Sequence, residues 1–431
     1  MALFKLAVRN LARNRRRTAI TLVALVLGVA AQVGVRGFVN GVQRMMFENA
    51  IEGRFGAVQV HRKGFLENVL SSPLTLDFED SPALRQTLLS TPHVVAAAPR
   101  IEFGAMLSTP DKKPAPEDGS LLPEADQGKT SYFMATAIDP TLEAKVTGRR
   151  FSWLRDGRVF PAADSPEVML SQDFGKGLEV AVHEAGAPLP EVERQSALLA
   201  PDKDGTLNGE NVVVGGQYVL AMPGDKRVGL VPLAVAQRLL RMEGRVTEYA
   251  LALDDWKFAP QVSAALTSAL GPDYEVSTWD QVFPVMKDLS GHQNFIFNLL
   301  SAIFLVVVLL GIVNSMLMSV MERTREIGTM LAVGMRRKQI VQLFVLEGTV
   351  LGALGGVLGL AVGIALTTWL NQRGVMLPAP GTGVDSLLRP TVGPLYLLTA
   401  LGQTLVGAAL ASVWPASRAS ALRPVEALAS T

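Results

Sequence analysis

Residues 295–320 read FIFNLLSAIFLVVVLLGIVNSMLMSV, and this stretch decides the class of the protein. It runs for 26 residues without Asp, Glu, Lys or Arg. A helix needs about 20 mainly apolar residues to cross the hydrocarbon core of a bilayer, and helices in soluble cores rarely stay uncharged for so long. The stretch therefore predicts a membrane-spanning helix.

Three further segments meet the same requirement, which gives predicted spans at 18–37, 293–320, 343–370 and 392–414. The first span follows a basic segment and precedes small residues, as a secretory signal does. Because that basic segment is long and has an apolar face, we expect an uncleaved anchor instead, preceded by an amphipathic helix over residues 1–17 that lies along the membrane.

Basic residues give the orientation. They cluster before the first span, between the second and third, and after the fourth, whereas the short 371–391 connection contains only Arg373 and Arg389. Positive charge is enriched in cytoplasmic loops. Four crossings place all three clusters on one side, so both termini, the loop 321–342 and the tail 415–431 are predicted to be cytoplasmic and the segment 38–292 to be outside.

The outer segment mixes two patterns. Short β-like runs occur at 57–61, 168–170, 211–214 and 248–253, and helical stretches at 81–90, 232–243 and 259–270. A Pro-rich, charged stretch near 109–130 indicates a mobile insertion. We predict two subdomains, one formed by both ends of the segment and one inserted and β-rich. The predicted fold class is four transmembrane helices with a large mixed α/β extracytoplasmic domain inserted between helices 1 and 2.

Composition excludes several functions. Lys and Arg total 40 against 39 for Asp and Glu, so nucleic acid is not an expected partner. Cysteine is absent and the four histidines lie far apart, which argues against a metal site. No catalytic set is recognisable, and no Gly-x-x-x-x-Gly-Lys-Ser/Thr motif occurs. We therefore predict a chain that is not an enzyme by itself and that binds no cofactor or metal.

The loop at 321–342 has the pattern of a short amphipathic helix. Such a helix can lie across the groove of a partner protein, with its charges at the rim. A solvated basic loop that only fixes the topology is the alternative interpretation. The candidate coupling residues are Arg323, Arg325, Glu326, Ile327, Met330, Leu331, Gly334 and Arg336.

Glu347 is an acid inside the third span, and an ionisable group in the membrane suggests function. Its position in the first turns of the helix favours a structural role instead, since the helix N-terminus stabilises negative charge. Coupling to Arg336 or Arg337 is the alternative. The glycines at 348, 352, 355, 356, 359 and 363 predict close packing, against the fourth span more than in a dimer.

A second candidate site lies beside the first and second spans. Methionine adapts to irregular apolar ligands, so this set could line an opening for an acyl chain. Ordinary anchoring at the membrane interface explains the residues equally well. They are Met45, Met46, Phe47, Phe295 and Phe297.

Several motifs together resemble the permease family that includes the macrolide exporter MacB, the cell-division protein FtsX and the lipoprotein-releasing subunits LolC and LolE. They are NSMLMSV at 314–320, ERTREIG at 322–328, AVGM at 332–335, LEG at 346–348, RNLARN at 9–14, PASRA at 415–419 and RPVEAL at 423–428.

The resemblance implies an ABC-transporter permease in a bacterial inner membrane. It implies a homodimer or heterodimer of permeases, each bound to a separate ABC ATPase subunit that holds ATP and Mg. In this family the ATPases move the cytoplasmic loop, and stiff helices pass the motion to the outer domain, which is called mechanotransmission.

Within the family, the layout is closest to the LolC/LolE type. The chain as printed has no ATPase segment, its outer segment is long, and residues 55–65 look Lol-like. We therefore expect release of a lipidated or amphiphilic substrate, with a periplasmic carrier or adaptor as a further partner. The alternatives are a MacB-like drug or toxin efflux permease and an FtsX-like transmitter that controls a cell-wall hydrolase.

Overall fold

The computed structural model describes residues 2–13, 15–71, 74–113, 122–220, 226–378 and 384–422. The centre of the predicted insertion (114–121) and the RPVEAL motif lie outside the described residues. The chain divides into two units. The helical unit comprises Met1–Met45, Asp288–Leu377 and Leu387–Thr431, and the α/β unit comprises Met46–Lys287 and Pro378–Ser386.

The described helices, in chain order, are α1 (Ala2–Arg13), α2 (Arg15–Ala50), α3 (Pro82–Ser90), α4 (Pro140–Val146), α5 (Gln172–Leu178), α6 (Leu233–Leu239), α7 (Ala259–Leu270), α8 (Trp279–Val282), α9 (Pro284–Glu322), α10 (Thr324–Ala332), α11 (Arg337–Arg373) and α12 (Pro394–Ser420). The described strands are β1 (Val58–Arg62), β2 (Phe78–Glu79), β3 (Val94–Ser108), β4 (Thr130–Ile138), β5 (Leu154–Gly157), β6 (Glu167–Ser171), β7 (Ser196–Pro201), β8 (Leu207–Tyr218), β9 (Val228–Pro232), β10 (Arg245–Val246), β11 (Glu248–Leu253), β12 (Tyr274–Thr278), β13 (Val375–Pro378) and β14 (Asp385–Leu388).

Four of these helices, α2, α9, α11 and α12, are long and apolar enough to cross a membrane. Together with the mixed α/β unit they confirm the predicted fold class. Helices α2 and α9 contain 36 and 39 residues, well beyond the predicted spans 18–37 and 293–320. Each is longer than a bilayer requires, because the polar residues that flank the apolar segment continue the helix without a break.

Helix α11 packs through glycines on two faces. A Cβ atom at Gly355, Gly359 or Gly363 would come within 2.6–2.8 Å of side chains on α2. On the other face, Gly352 lies against Ala408 of α12. Since only a missing side chain permits such an approach, α11 lies between the first and fourth membrane helices. The sequence predicted the contact with the fourth span and missed the contact with the first.

Six strands of the α/β unit pair in a closed ring. Strand β3 pairs with β4, β4 with β9, β9 with β6, β6 with β8, β8 with β7, and β7 pairs again with β3. Alternate residues of the ring point inward and are buried, among them Phe103 on β3, Phe133 on β4 and Leu198 on β7. The ring is therefore a small barrel with a core filled by side chains.

Strand β3 also belongs to a second part of the unit. Its first half, Val94 to Arg100, pairs with β11, which continues to β1 and β12, so strands from both ends of the segment meet here. The division into two subdomains stays a prediction, and both parts lie in one compact unit. The reason is that a strand of 15 residues is long enough to contribute to both.

A buried ionic cluster lies where the two parts meet. Arg100 donates to Glu143 at 2.7 and 3.0 Å and to Glu248 at 3.0 Å, and all three side chains are at most 1% exposed. Burial raises the pKa of Glu248 to about 8, because one guanidinium cannot neutralise two buried carboxylates. Burial also disfavours the charge of Glu143, but Arg100 and Arg150 outweigh it and hold the pKa of that carboxyl below its usual value.

We expect Glu248→Gln to flatten the pH dependence of folding between about pH 4.5 and 8. A carboxyl with a raised folded-state pKa stabilises the fold at low pH, and this contribution is lost as the pH rises through the folded pKa. The wild-type melting temperature, measured by tryptophan fluorescence in detergent, should fall by several degrees over this range relative to the variant. An equal slope in both proteins would contradict the assignment, and the exposed Glu67→Gln serves as the control.

We expect Gly359→Leu to destabilise the helical unit by about 1–3 kcal/mol, the usual cost of overpacking. A Cβ at this position lies 3.0 Å from the backbone oxygen of Val26, which cannot move aside as a flexible side chain could. Thermal unfolding in lipid nanodiscs would measure the effect. Gly402→Leu is the matched control, because nothing lies within 4 Å of a Cβ there. Equal losses in both variants would show that the contact with α2 is unimportant.

Candidate coupling site

Helix α10 forms because the chain turns sharply on both sides of it. Arg323 leaves helical geometry and separates α9 from α10. At the other end, Gly334 has a φ of 101°, a left-handed conformation that favours glycine, and the Met335 amide donates to the Met330 carbonyl at 3.0 Å. Gln339 then caps the start of α11 by accepting from the Arg336 amide at 2.9 Å.

The apolar face of α10 packs against its own chain. Ile327 is fully buried in a cluster with Ile340 and Phe344 of α11 and Ala416 of α12, and Met330 and Leu331 pack against the same cluster. We predicted that these side chains would lie in a partner's groove. The prediction is wrong for Ile327, which has no exposed surface. The apolar side chains of α10 instead fix this helix to the membrane helices.

A different surface of the loop is exposed. Val333 is 85% exposed and Met321 77% exposed, and the charged residues Arg325, Glu326 and Arg336 are also on the surface. Large apolar side chains with this exposure favour contact with another protein. Of the candidate coupling residues, Arg325, Glu326 and Arg336 are therefore available to a partner. Arg323, whose side chain is 13% exposed, and the apolar residues act as supports.

Glu347 is the centre of an ionic network. Its side chain is 3% exposed, and it accepts hydrogen bonds from Arg323 at 3.0 Å and from Asn10 of α1 at 2.5 Å. The cation beside it is Arg323, and the pairing with Arg336 or Arg337 considered from the sequence does not occur. Sequence spacing could not reveal this pair, because Arg323 and Glu347 lie 24 residues apart. They meet only because the chain reverses direction through α10, so that α11 brings Glu347 back beside Arg323.

Further ion pairs at this end involve α1, α2 and α9. Arg323 donates to Glu326 at 2.9 Å, and Glu326 also pairs with Arg13 of α1. Arg17 of α2 donates to Glu322 at the end of α9 at 3.1 Å. Ion pairs between exposed groups contribute little each, whereas breaking a buried pair costs much more. The Arg323–Glu347 pair therefore fixes the position of α10, and the outer pairs add restraint.

The five residues of the second candidate site do not share one exposed surface. Met45 and Met46 are buried, and Phe47 packs against Trp279 with ring centroids 4.9 Å apart. Phe297 is 2% exposed, while Phe295 is 70% exposed. A role for this set in admitting an acyl chain stays a prediction, and Phe295 alone among them has substantial exposure.

A separate cavity of about 630 Å³ lies in the α/β unit. Its floor is apolar, and its rim includes Lys112 and Lys129, which both pair with Glu179 at 2.8 and 2.7 Å. These two lysines lower the pKa of Glu179 to about 2. Both rim lysines are thus engaged by one carboxylate, and the cavity shares no residue with the coupling site.

Two family models match the chain. The MacB-like periplasmic core domain matches residues 18–269, and the FtsX-like permease C-terminal domain matches residues 298–424. The second match contains α10 and Glu347, so the central part of the coupling site lies within the region shared with FtsX-like permeases, whereas Asn10, Arg13 and Arg17 lie outside it.

Curated relatives are similar over nearly the whole chain. The macrolide export ATP-binding/permease protein MacB of Hyphomonas neptunium is 27% identical over 444 residues, covering 99% of this chain. The protein of the same name from Nitrobacter winogradskyi is 27% identical and covers 98% of the chain, and that from Neisseria meningitidis is 22% identical and covers 99%. The chain spans about 60% of the length of these relatives.

Among solved structures, the periplasmic region of MacB from Actinobacillus actinomycetemcomitans is similar to 56% of this chain and 95% of its own, with 12% identity and a TM-score of 0.34. The extracellular domain of the noncanonic ABC-type transporter YknZ is similar to 52% of this chain, with a TM-score of 0.31. The family models decide the assignment, because one of them matches more than half of the sequence. The chain is a multi-pass membrane protein and belongs to the MacB/FtsX family of ABC-transporter permeases.

Proposed function

We propose that the chain is the permease of an exporter for amphiphilic molecules and works by mechanotransmission. The observation that carries this proposal is the buried Glu347 network, which joins α10 to α1 and α11. A force applied to the exposed face of α10 would reach the membrane helices through this network, since a buried ion pair resists separation. Helices α2 and α9, roughly 55 Å long at 1.5 Å per residue, would carry the motion across the membrane.

ATP and Mg would bind to an ABC ATPase and not to the residues of this chain. The sequence has no phosphate-binding loop of the Gly-x-x-x-x-Gly-Lys-Ser/Thr type. The ATPase would contact the exposed face of the loop, which includes Val333, Arg325 and Arg336. This arrangement requires both termini on the cytoplasmic side, in agreement with the basic clusters near them.

Export in the manner of MacB is the version we propose. The relatives that cover the whole chain are named macrolide export proteins, which supports an amphiphilic small molecule as cargo. The residues that favoured lipoprotein release have a simpler explanation. Val58, Val60 and His61 are buried in β1, and His61 stacks on Phe65 at 4.2 Å, so the 55–65 stretch is shaped by packing.

A second permease would bind along α9. Only 11% of the most apolar stretch of this helix is buried, against 28–33% for the other three membrane helices. Exposed side chains recur at intervals of three and four residues, the repeat of paired helices, at Ile296, Leu299, Ile303, Val306 and Leu310. Asn314 continues this stripe, and its amide has no partner among the described residues. A neighbouring helix would supply one.

Glu347→Gln should uncouple ATP hydrolysis from transport while the complex still forms. Loss of the charge leaves Arg323 with only the more exposed Glu326 as a counter-ion, and α10 is then held less firmly. We expect transport per ATP hydrolysed to fall about tenfold in proteoliposomes that contain the co-purified ATPase, an effect of roughly 1.4 kcal/mol on the coupled step.

Val333→Asp tests the docking face separately. It should reduce co-purification of the ATPase without changing the melting temperature of the permease, because Val333 is 85% exposed. Leu354→Asn, on the exposed face of α11, provides a control away from the loop.

For the first of these two variants, full coupling of transport to ATP hydrolysis in Glu347→Gln would refute the proposed route of transmission.

Single cysteines can test the partner on α9, since the natural sequence contains none. Ile303→Cys should form a disulfide-linked dimer in native membranes on mild oxidation if two copies pack along this helix. Leu398→Cys on α12 is similarly exposed, at 68% against 52%, and should stay monomeric. Equal cross-linking at both positions would indicate random collision, and a cross-link of Ile303→Cys only to another permease with its own cysteine would indicate a heterodimer.

A further inference from the structure

A polar cluster lies at the opposite end of the membrane helices from α10. It joins the first, second and fourth spans, through Gln32 and Arg36 of α2, Asn294 and Ser301 of α9, and Tyr396 of α12. All five residues belong to the helical unit. None of them belongs to the coupling site or to the candidate sites found in the sequence.

The Arg36 guanidinium is held in a fixed position. Its Nη1 donates to Asn294 Oδ1 at 3.0 Å. Its Cζ lies 4.9 Å from the centre of the Phe297 ring and 5.5 Å from the centre of the Tyr396 ring, and the two rings are 6.1 Å apart. Cation–π contacts of this kind orient a guanidinium but do not neutralise its charge.

Three polar atoms in the cluster are buried and have no hydrogen-bond partner within the part of the chain that the structure describes. They are Nε of Arg36, Oγ of Ser301 and the hydroxyl of Tyr396. The side chains of Ser301 and Gln32 lie close to the Tyr396 hydroxyl, but no atom of the described residues meets the geometry of a full hydrogen bond with it. Buried polar groups are satisfied in the great majority of cases, so three such atoms in one cluster call for an explanation.

The charge of the cluster is also uncompensated. Within the described ranges, Arg36 has no carboxylate partner. An unpaired arginine next to apolar membrane helices is costly, and such residues commonly mark a site that binds something. The orphaned atoms include one obligate donor and two hydroxyls that can donate, so the missing partner is an acceptor-rich anion.

The residues next to the cluster indicate the kind of molecule to which the anionic group belongs. Leu395, next to Tyr396, is 75% exposed, and Leu300, next to Ser301, is 42% exposed. Phe295, on the same helix as Ser301, is also exposed, so large apolar side chains are accessible at this end of α9 and α12. A ligand that contacts both has an anionic head and an apolar tail.

We propose that Arg36, Ser301 and Tyr396 form a binding site for the phosphate head of an anionic amphiphile, with a phospholipid as the occupant. Arg36 would pair with a phosphate oxygen through Nε, the two hydroxyls would donate to the other oxygens, and the acyl chains would lie along Leu300 and Leu395. The proposal concerns binding alone, so it stands or falls independently of the exporter assignment.

The test uses the purified full chain in a mild neutral detergent, titrated with fluorescently labelled phosphatidylglycerol. Phosphatidylcholine with the same label and acyl chains is the zwitterionic comparison. We expect the wild type to bind phosphatidylglycerol about tenfold more tightly, because both lipids offer phosphate oxygens but only phosphatidylcholine brings a second cation close to the uncompensated Arg36 guanidinium. Arg36→Gln should abolish the preference, and Tyr396→Phe and Ser301→Ala should each weaken it severalfold.

Arg373→Gln is the matched control. Arg373 also stacks on an aromatic ring, with Cζ 4.6 Å from the centre of the Trp369 ring, but it lies outside the cluster. An equal loss in this variant would show that surface charge alone attracts the lipid and would overturn the proposal. Competition by inorganic phosphate at the same concentration as the lipid would overturn the assignment to an amphiphile.

Tyr396→Phe and Ser301→Ala remove one oxygen each, so they keep the test decisive if Arg36→Gln does not fold. Unchanged binding in both of these variants would also overturn the proposal. Arg36→Lys, which keeps the charge but loses the planar guanidinium, should restore part of the preference relative to Arg36→Gln.

Discussion

A carboxylate buried between apolar helices needs a cation and hydrogen-bond donors, and this requirement organises the α10 end of the helical unit. Glu347 is satisfied only if Arg323 lies directly beside it and Asn10 reaches it from α1. Arg323 can lie there only because the chain leaves helical geometry at that residue. One acid thus determines where α9 ends, where α10 begins and where α1 is attached.

Helix α11 has this electrostatic role and also packs closely against two other membrane helices. The helix that carries Glu347 also carries the glycines that approach α2 on one face and α12 on the other. Close contact along two faces leaves α11 little freedom to shift independently of its neighbours, since interdigitated helices move as a unit. A displacement of Glu347 would therefore be shared by three membrane helices, which is the mechanical property that the proposed transmission requires.

The sequence predicted what depends on composition and periodicity, and missed what depends on distant partners. Long, mainly apolar runs identified the four membrane helices, and the helix 259–270 and the strand 248–253 agree with α7 and β11. Strand β8 was predicted at 211–214 but runs from Leu207 to Tyr218, because Gly209, Gly215 and Gly216 suggest turns until neighbouring strands enclose them. The burial of Ile327, the Arg323–Glu347 pair and the orphaned atoms around Arg36 could not be predicted from one sequence, since each is defined by residues far away in the chain.

The closed ring of strands in the α/β unit limits how other chains can associate with it. The described sheet ends at β5 and β12 and not within the ring. Strand β5 is four residues long and mostly exposed and includes Arg155 and Asp156, while the Ser263 hydroxyl of α7 donates to the Val276 carbonyl of β12 at 2.9 Å. Short, charged or covered edges discourage strand addition. Binding proteins therefore have to recognise the side chains and loops of this unit. The same edges also disfavour polymerisation by strand pairing between copies, which matters for a domain that its membrane helices concentrate on one surface.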